Sequence, residues 1–130
     1  MLIEGTDAII FAMGHMVDVS LDAAKNLLKH GINVAVGNIH SLKPLDTNFI
    51  LENSKLASVV VTAENHSIIG GLGSAVAETL LEGGVSRKFK RIGIEDTLAE
   101  GGSTQFLFDK YGLNSSHLQN TIKRLLTYER

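Results

Sequence analysis

Glu64 and His66 stand two residues apart at the end of an apolar run, in Val60-Val61-Thr62-Ala63-Glu64-Asn65-His66. Three glycines, Gly70, Gly71 and Gly73, follow before an amphipathic stretch begins. A carboxylate beside an imidazole suits general acid–base chemistry. Glycines between a strand and a helix suit a phosphate-binding turn. Each feature also has a plainer reading. A carboxylate just ahead of a helix accepts hydrogen bonds from its free N–H groups and is favoured by the helix dipole. His66 is placed to pair with Glu64 or to reach across an interface. Gly71-x-Gly73-x-x-Val76 lacks the third glycine of a dinucleotide fingerprint, and it follows the third long apolar run rather than the first. Ile69, Leu72, Val76 and Leu80 form one apolar stripe, and Gly70, Gly73, Ser74 and Ala77 a second with almost no side chain. Glycine inside a helix costs about 1 kcal/mol relative to alanine. The small stripe therefore implies a neighbour whose backbone comes very close, from the sheet or from another subunit.

Other chemistries find less support. The chain has no cysteine, so thiolate metal sites and disulfides are excluded. No two of its five histidines share a helical i, i+3 or i, i+4 spacing. There is no G-x-S-x-G, and Ser67 and Ser74 belong to no evident triad. No residue is assigned a catalytic, cofactor-binding or metal-ligating role on spacing. The formal net charge is −2 and no basic run is apparent, so no nucleic-acid grip is expected. No segment approaches the ~20 apolar residues of a membrane helix. The opening MLIEGTDAII carries no basic leader, and a soluble, cytoplasmic protein is the expectation.

The elements that must position these residues read as follows. Asp7 to Gly14 is a buried strand ending in glycine. Val17, Leu21, Ala24 and Leu28 recur at helical spacing, with Asp18 and Asp22 early, Lys25, Lys29 and His30 late, and Gly31 as a stop. Ile32 to Val36 is a second strand, continuing loosely to His40. Lys43-Pro44-Leu45-Asp46 breaks the chain, and Asp46 caps a short helix from Thr47 to Asn53. Leu56 to Ala63 is a strand so apolar that both faces must be covered. A helix then runs to Gly83-Gly84, and Phe89 to Ile94 is a further strand. Thr104 to Tyr111 and Ser115 to Leu126 read as two last helices, the second capped by Asn114. Alternating strands and helices imply an α/β fold with a mostly parallel sheet, and 130 residues suit one domain, 1–130. Parallel strands place their carboxyl ends on one edge, where open α/β sheets bind ligands. On that edge the sequence places His15, His40, Glu64, His66, Glu95 and Asp96.

The stretch Thr62-Ala63-Glu64-Asn65-His66-Ser67-Ile68-Ile69-Gly70-Gly71-Leu72-Gly73-Ser74-Ala75-Val76-Ala77-Glu78 resembles the signature of the transketolase C-terminal domain. Gly5-Thr6-Asp7-Ala8-Ile9-Ile10, Lys43-Pro44-Leu45-Asp46 and Tyr111-Gly112-Leu113 extend the resemblance over about 120 residues, in order. It is nearest to the split transketolases of bacteria and archaea. One departure is Leu98-Ala99-Glu100-Gly101-Gly102-Ser103, where the family often has Phe-Ala-Glu/Gln-Ser-Gly.

The resemblance implies a three-layer α/β/α fold with five strands. One of them, an antiparallel edge strand, would be Met1 to Glu4. It implies a holoenzyme that uses thiamine diphosphate and magnesium to move a two-carbon ketol unit between sugar phosphates. The diphosphate-binding and pyrimidine-binding domains that do this are expected as partners, in the same chain or a separate subunit, within a homodimer. None of their motifs lies here, so the chain alone is expected to be inactive and to hold no cofactor. His15, Glu64, His66, Gly70, Gly71 and Gly73 are then expected at an interface or ligand edge. Deoxyxylulose-phosphate synthase, a 2-oxoacid dehydrogenase β subunit, and a regulatory module for a small anion or nucleotide are the alternatives. A face that meets a missing domain is expected to be unusually apolar.

Overall fold

The structure is a computed structural model that describes residues 1–94, 109–110 and 112–127. Four strands, β1 (Ala8–Ala12), β2 (Val34–Asn38), β3 (Val59–Ser67) and β4 (Lys88–Ile94), form a parallel sheet in the order β2-β1-β3-β4. Helices α1 (Met16–Leu28), α2 (Thr47–Lys55), α3 (Leu72–Glu82) and α4 (Ser115–Thr127) cover it.

Side-chain alternation along the strands assigns the layers. Ala8, Ile10, Val34, Val36, Val59 and Val61 point to one face, where Met16, Ala23 and Leu27 of α1 meet Leu118 and Ile122 of α4. Ile9, Phe11, Ala35 and Val60 point to the other, against Ile50 of α2 and Leu72, Val76 and Leu80 of α3. The strand core Val59 to Ala63 is buried on both faces, as its unbroken apolar run demands. This is the expected three-layer arrangement.

Element ends follow their local chemistry. Asp46 Oδ1 accepts from Phe49 N at 3.0 Å, and Asn114 Oδ1 accepts from His117 N at 2.9 Å. Gly31 and Gly84 take φ of 76° and 72° just past α1 and α3.

Three expectations need correction. The apolar Leu56 begins no strand: it is the C-cap of α2, 66% exposed, and β3 starts at Val59. At its other end β3 runs beyond Ala63 to Ser67, because the polar Glu64-Asn65-His66 continues the extended backbone. The described sheet has four strands, not five. Ile3 makes only an isolated antiparallel bridge to Val36, with Leu2 N donating to Val36 O at 2.9 Å and Val36 N to Ile3 O at 2.9 Å. The helix expected over Thr104 to Tyr111, and the loop Leu98 to Ser103, lie outside the described residues.

Candidate functional site at the carboxyl edge of the sheet

Glu64 follows Val60 and Thr62 on the α3 face of β3, so alternation alone carries its side chain under the start of α3. The residue is 1% exposed. One carboxylate oxygen accepts from Leu72 N at 3.0 Å and the other from Gly73 N at 2.7 Å. These are two of the four amides that a helix start leaves without partners. Bonds from amides to a carboxylate are charge-assisted, and the helix dipole adds to them. Glu64 therefore fastens α3 to the strand before it, which is the plainer of its two readings.

The glycines around it act separately. Gly70 lies outside the helix, with φ 76° and open space around it. Gly71 is the N-cap of α3. Gly73 is inside the helix and tightly enclosed. A Cβ there would lie 2.6 Å from Arg91 Cγ, 2.7 Å from Arg91 Cδ and 2.9 Å from Thr62 Oγ1. The close neighbour expected of the small stripe is found at Gly73 alone of its glycines, and it is the sheet of this same chain, through two side chains rather than a backbone. Thr62 Oγ1 is buried without a hydrogen-bond partner. Ile69, expected on the apolar stripe, precedes the helix and is 61% exposed.

Arg91 and Ser74 complete the arrangement, and the sequence reading assigned neither this role. Arg91 runs beneath Gly73, and its Nη1 donates to Ile68 O at 3.1 Å. Ser74 Oγ donates to the same carbonyl at 3.0 Å and accepts from Gly70 N at 3.0 Å. Gly93 makes room for the segment: a Cβ there would lie 2.8 Å from Ile68 Cγ2 and 2.9 Å from His66 O. The pairing of β3 with β4 is irregular between Ala63 and Ser67, where this segment bulges over Gly93. Strand alternation was the available signal, since Phe89, Arg91 and Gly93 fall on the face that carries Thr62 and Glu64. Together these contacts hold a rigid loop from Ile68 to Gly71 with Ile69 outward.

The other edge residues are spread out. His66 is exposed at the end of β3, while both Glu64 oxygens are taken up by α3. Gly14 (φ 62°) follows β1 at the point where strand order reverses, and a Cβ there would lie 3.6 Å from Asn65 Oδ1. His15 starts α1 and lines a cavity of about 300 Å³ with Asp18, Asp22 and Asn114, between α1 and α4. That is the sheet face opposite α3 and Glu64. His40 is exposed beyond β2, in a cavity of about 310 Å³ with Asp46 and Phe49. Glu95 and Asp96 lie outside the described residues. Among the described residues no group of three His, Asp or Glu side chains is placed to hold a metal ion, and no helix is long and apolar enough to cross a membrane.

Residues 1–118 match the family described as "Transketolase, C-terminal domain". The chain is 46% identical, over 93% of its length, to a 1-deoxy-D-xylulose-5-phosphate synthase of Caldanaerobacter subterraneus subsp. tengcongensis, of which it covers 20%. It is 42% identical, over 91% of its length, to the 6-deoxy-6-sulfo-D-fructose transketolase subunit SqwH of Clostridium sp., of which it covers 36%. Among solved structures, a split gene transketolase described as an inactive β4 tetramer superposes with a TM-score of 0.90 at 43% identity. That superposition covers 99% of this chain and 42% of the other. The chain thus spans less than half the length of each of these relatives.

Proposed function

This chain belongs to the transketolase C-terminal domain family, and on that premise we propose that it is a structural, dimerising part of a thiamine-diphosphate-dependent enzyme. The complete enzyme moves a two-carbon ketol unit from a ketose phosphate to an aldose phosphate in the cytoplasm. The domains that bind the diphosphate and the pyrimidine are its partners. One observation carries this reading. The buried carboxylate at the sheet edge, Glu64, has both oxygens on backbone amides of α3, so it organises a surface instead of offering a general base. The catalytic tolerance of such an enzyme is set by how rigidly its domains are held, which is what a pinned edge supports.

Among the described residues, the start of α3 does not fit the diphosphate of the coenzyme. The amides of Leu72 and Gly73, which a phosphate would use at the start of α3, are already held by Glu64. A buried carboxylate in that position also repels an anion. The same geometry weighs against a nucleotide or phosphate regulator at this edge. The test is to assay ketol transfer with the chain alone and with its complementing domains, alongside a thermal-shift series. Turnover is expected only in the complete enzyme. Ligand at 100 times its dissociation constant adds about 2.7 kcal/mol of stability, so a large shift of the isolated chain with thiamine diphosphate overturns the reading.

The 46% identity to a 1-deoxy-D-xylulose-5-phosphate synthase favours a second reading, in which the chain serves that enzyme instead. Product analysis of the complete protein separates the two: an exchanged sugar phosphate for ketol transfer, 1-deoxy-D-xylulose 5-phosphate for the synthase.

A further inference from the structure

Two neighbouring cavities, each of about 360 Å³, open at the amino-terminal end of the sheet, far from the edge described above. They share Ser86 and Arg87. The first is polar, lined by Lys55, Ser58, Ser86 and Arg87. The second is apolar, lined by Ala77, Leu80, Leu81, Val85 and Phe89.

Arg87 stands where they join, and three backbone carbonyls fix it. Nε donates to Ala57 O at 2.8 Å, Nη2 to Lys55 O at 3.0 Å and Nη1 to Ser86 O at 2.8 Å. A guanidinium has five N–H groups, so two remain for another acceptor. Among the described residues no carboxylate lines either cavity. Lys55 and Lys88 are the other cations of the polar one, and the Nζ of Lys88 gives one of its three N–H groups to Leu125 O at 3.3 Å.

Fastening the C-terminal end of α2 accounts for the three carbonyl bonds of Arg87. It does not account for an apolar hollow that the same residue also lines, rimmed by a Leu81 that is 83% exposed. We infer that the joined cavities bind a small amphipathic anion, with its head group at Arg87 and Lys55 and its apolar chain along Leu80, Leu81 and Phe89. The pre-fixed guanidinium loses little freedom on binding, and desolvating the hollow supplies the rest. Each cavity lies within the ~300–1,000 Å³ range of small-molecule sites. The head group is a carboxylate or a phosphate, since the two remaining N–H groups serve either.

The experiment is calorimetric titration of the complete protein with hexyl phosphate and hexanoate, with inorganic phosphate and 1-hexanol as half-ligands. One or both amphiphiles are expected to saturate a single site, binding at least about tenfold more tightly than either half-ligand. Lys55→Glu and Leu81→Glu change exposed side chains and should leave the fold intact. Each is expected to weaken that binding about tenfold, the first through the head and the second through the chain. The inference is overturned if the amphiphiles bind no better than their halves, or if both variants bind them unchanged. Neither result touches the ketol-transfer reading, which is tested by turnover.

Discussion

The carboxylate of Glu64 is both the most suggestive group in the sequence and the one the fold uses most completely. Its two oxygens satisfy the amides of Leu72 and Gly73. Glu64→Gln keeps the shape but offers one oxygen to two donors, and it faces the second amide with an NH₂ group. The expected loss is about 2 kcal/mol, read as a lowered urea midpoint with unchanged m. An unshifted midpoint would show that the two bonds contribute nothing net. Gly73 tests the packing next to it. Gly73→Ala places a methyl group 2.6 Å from Arg91 Cγ and 2.9 Å from Thr62 Oγ1, and overpacking of this kind costs about 1–3 kcal/mol. Because the nearest atoms belong to Arg91, the double variant Gly73→Ala/Arg91→Ala should recover part of that loss. A thermodynamic cycle that closes additively, with no coupling between the sites, would rule this contact out as the reason for the glycine. Thr62 gives the opposite sign. Its hydroxyl is buried and unpartnered, so Thr62→Val should be neutral or stabilising by about 1 kcal/mol, seen as a raised Tm.

At the scale of elements, the helix starts divide by what holds them. Asp46 and Asn114 are side-chain caps of α2 and α4, each with one bond to an amide three residues on. Removing either with alanine should cost about 1 kcal/mol in a denaturation experiment. The start of α3 has Gly71 at its cap position and no side-chain cap bond from it; Glu64, eight residues before Leu72, does that work from a strand. This difference marks what a sequence can reveal. Local signals were legible: Asp46, Asn114, Gly31 and Gly83-Gly84 stand where their chemistry ends or begins a helix, and the apolar runs gave all four described strands. Leu56 misled because an apolar residue at a helix C-cap looks like the first residue of the run that follows. The site was legible only in its parts. Glu64 could be placed before a helix from order alone, but Arg91, Ser74 and Gly93 join it through strand pairing and side-chain reach. Those depend on β4 lying beside β3, a non-local fact that residue spacing does not encode.

Across the whole molecule, both sheet faces are closed by helices, so a partner must meet edges, loops or outer helix surfaces. Six large apolar side chains are exposed among the described residues: Met1, Leu2, Leu28, Leu56, Ile69 and Leu81. Ile69 differs from the rest in its support. It rides on a loop whose carbonyl at Ile68 is held by Arg91 and Ser74, and whose amide at Gly70 is held by Ser74. A rigid loop with an outward aliphatic tip suits an interface, because little freedom remains to be lost when the partner arrives. Full burial of an isoleucine side chain is worth about 1.5–3 kcal/mol, or more than about tenfold in a dissociation constant. Ile69→Ser should therefore leave the thermal stability of the unassembled chain within about 0.5 kcal/mol, since the side chain is 61% exposed. On the proposed function, the same change should raise the dissociation constant between this chain and the rest of the enzyme, or between two copies, by at least that tenfold in sedimentation equilibrium. Unchanged assembly with Ile69→Ser would remove the loop from the interface and leave the edge rigid for some other purpose. A lowered Tm with unchanged assembly would instead assign Ile69 to the packing of its own chain.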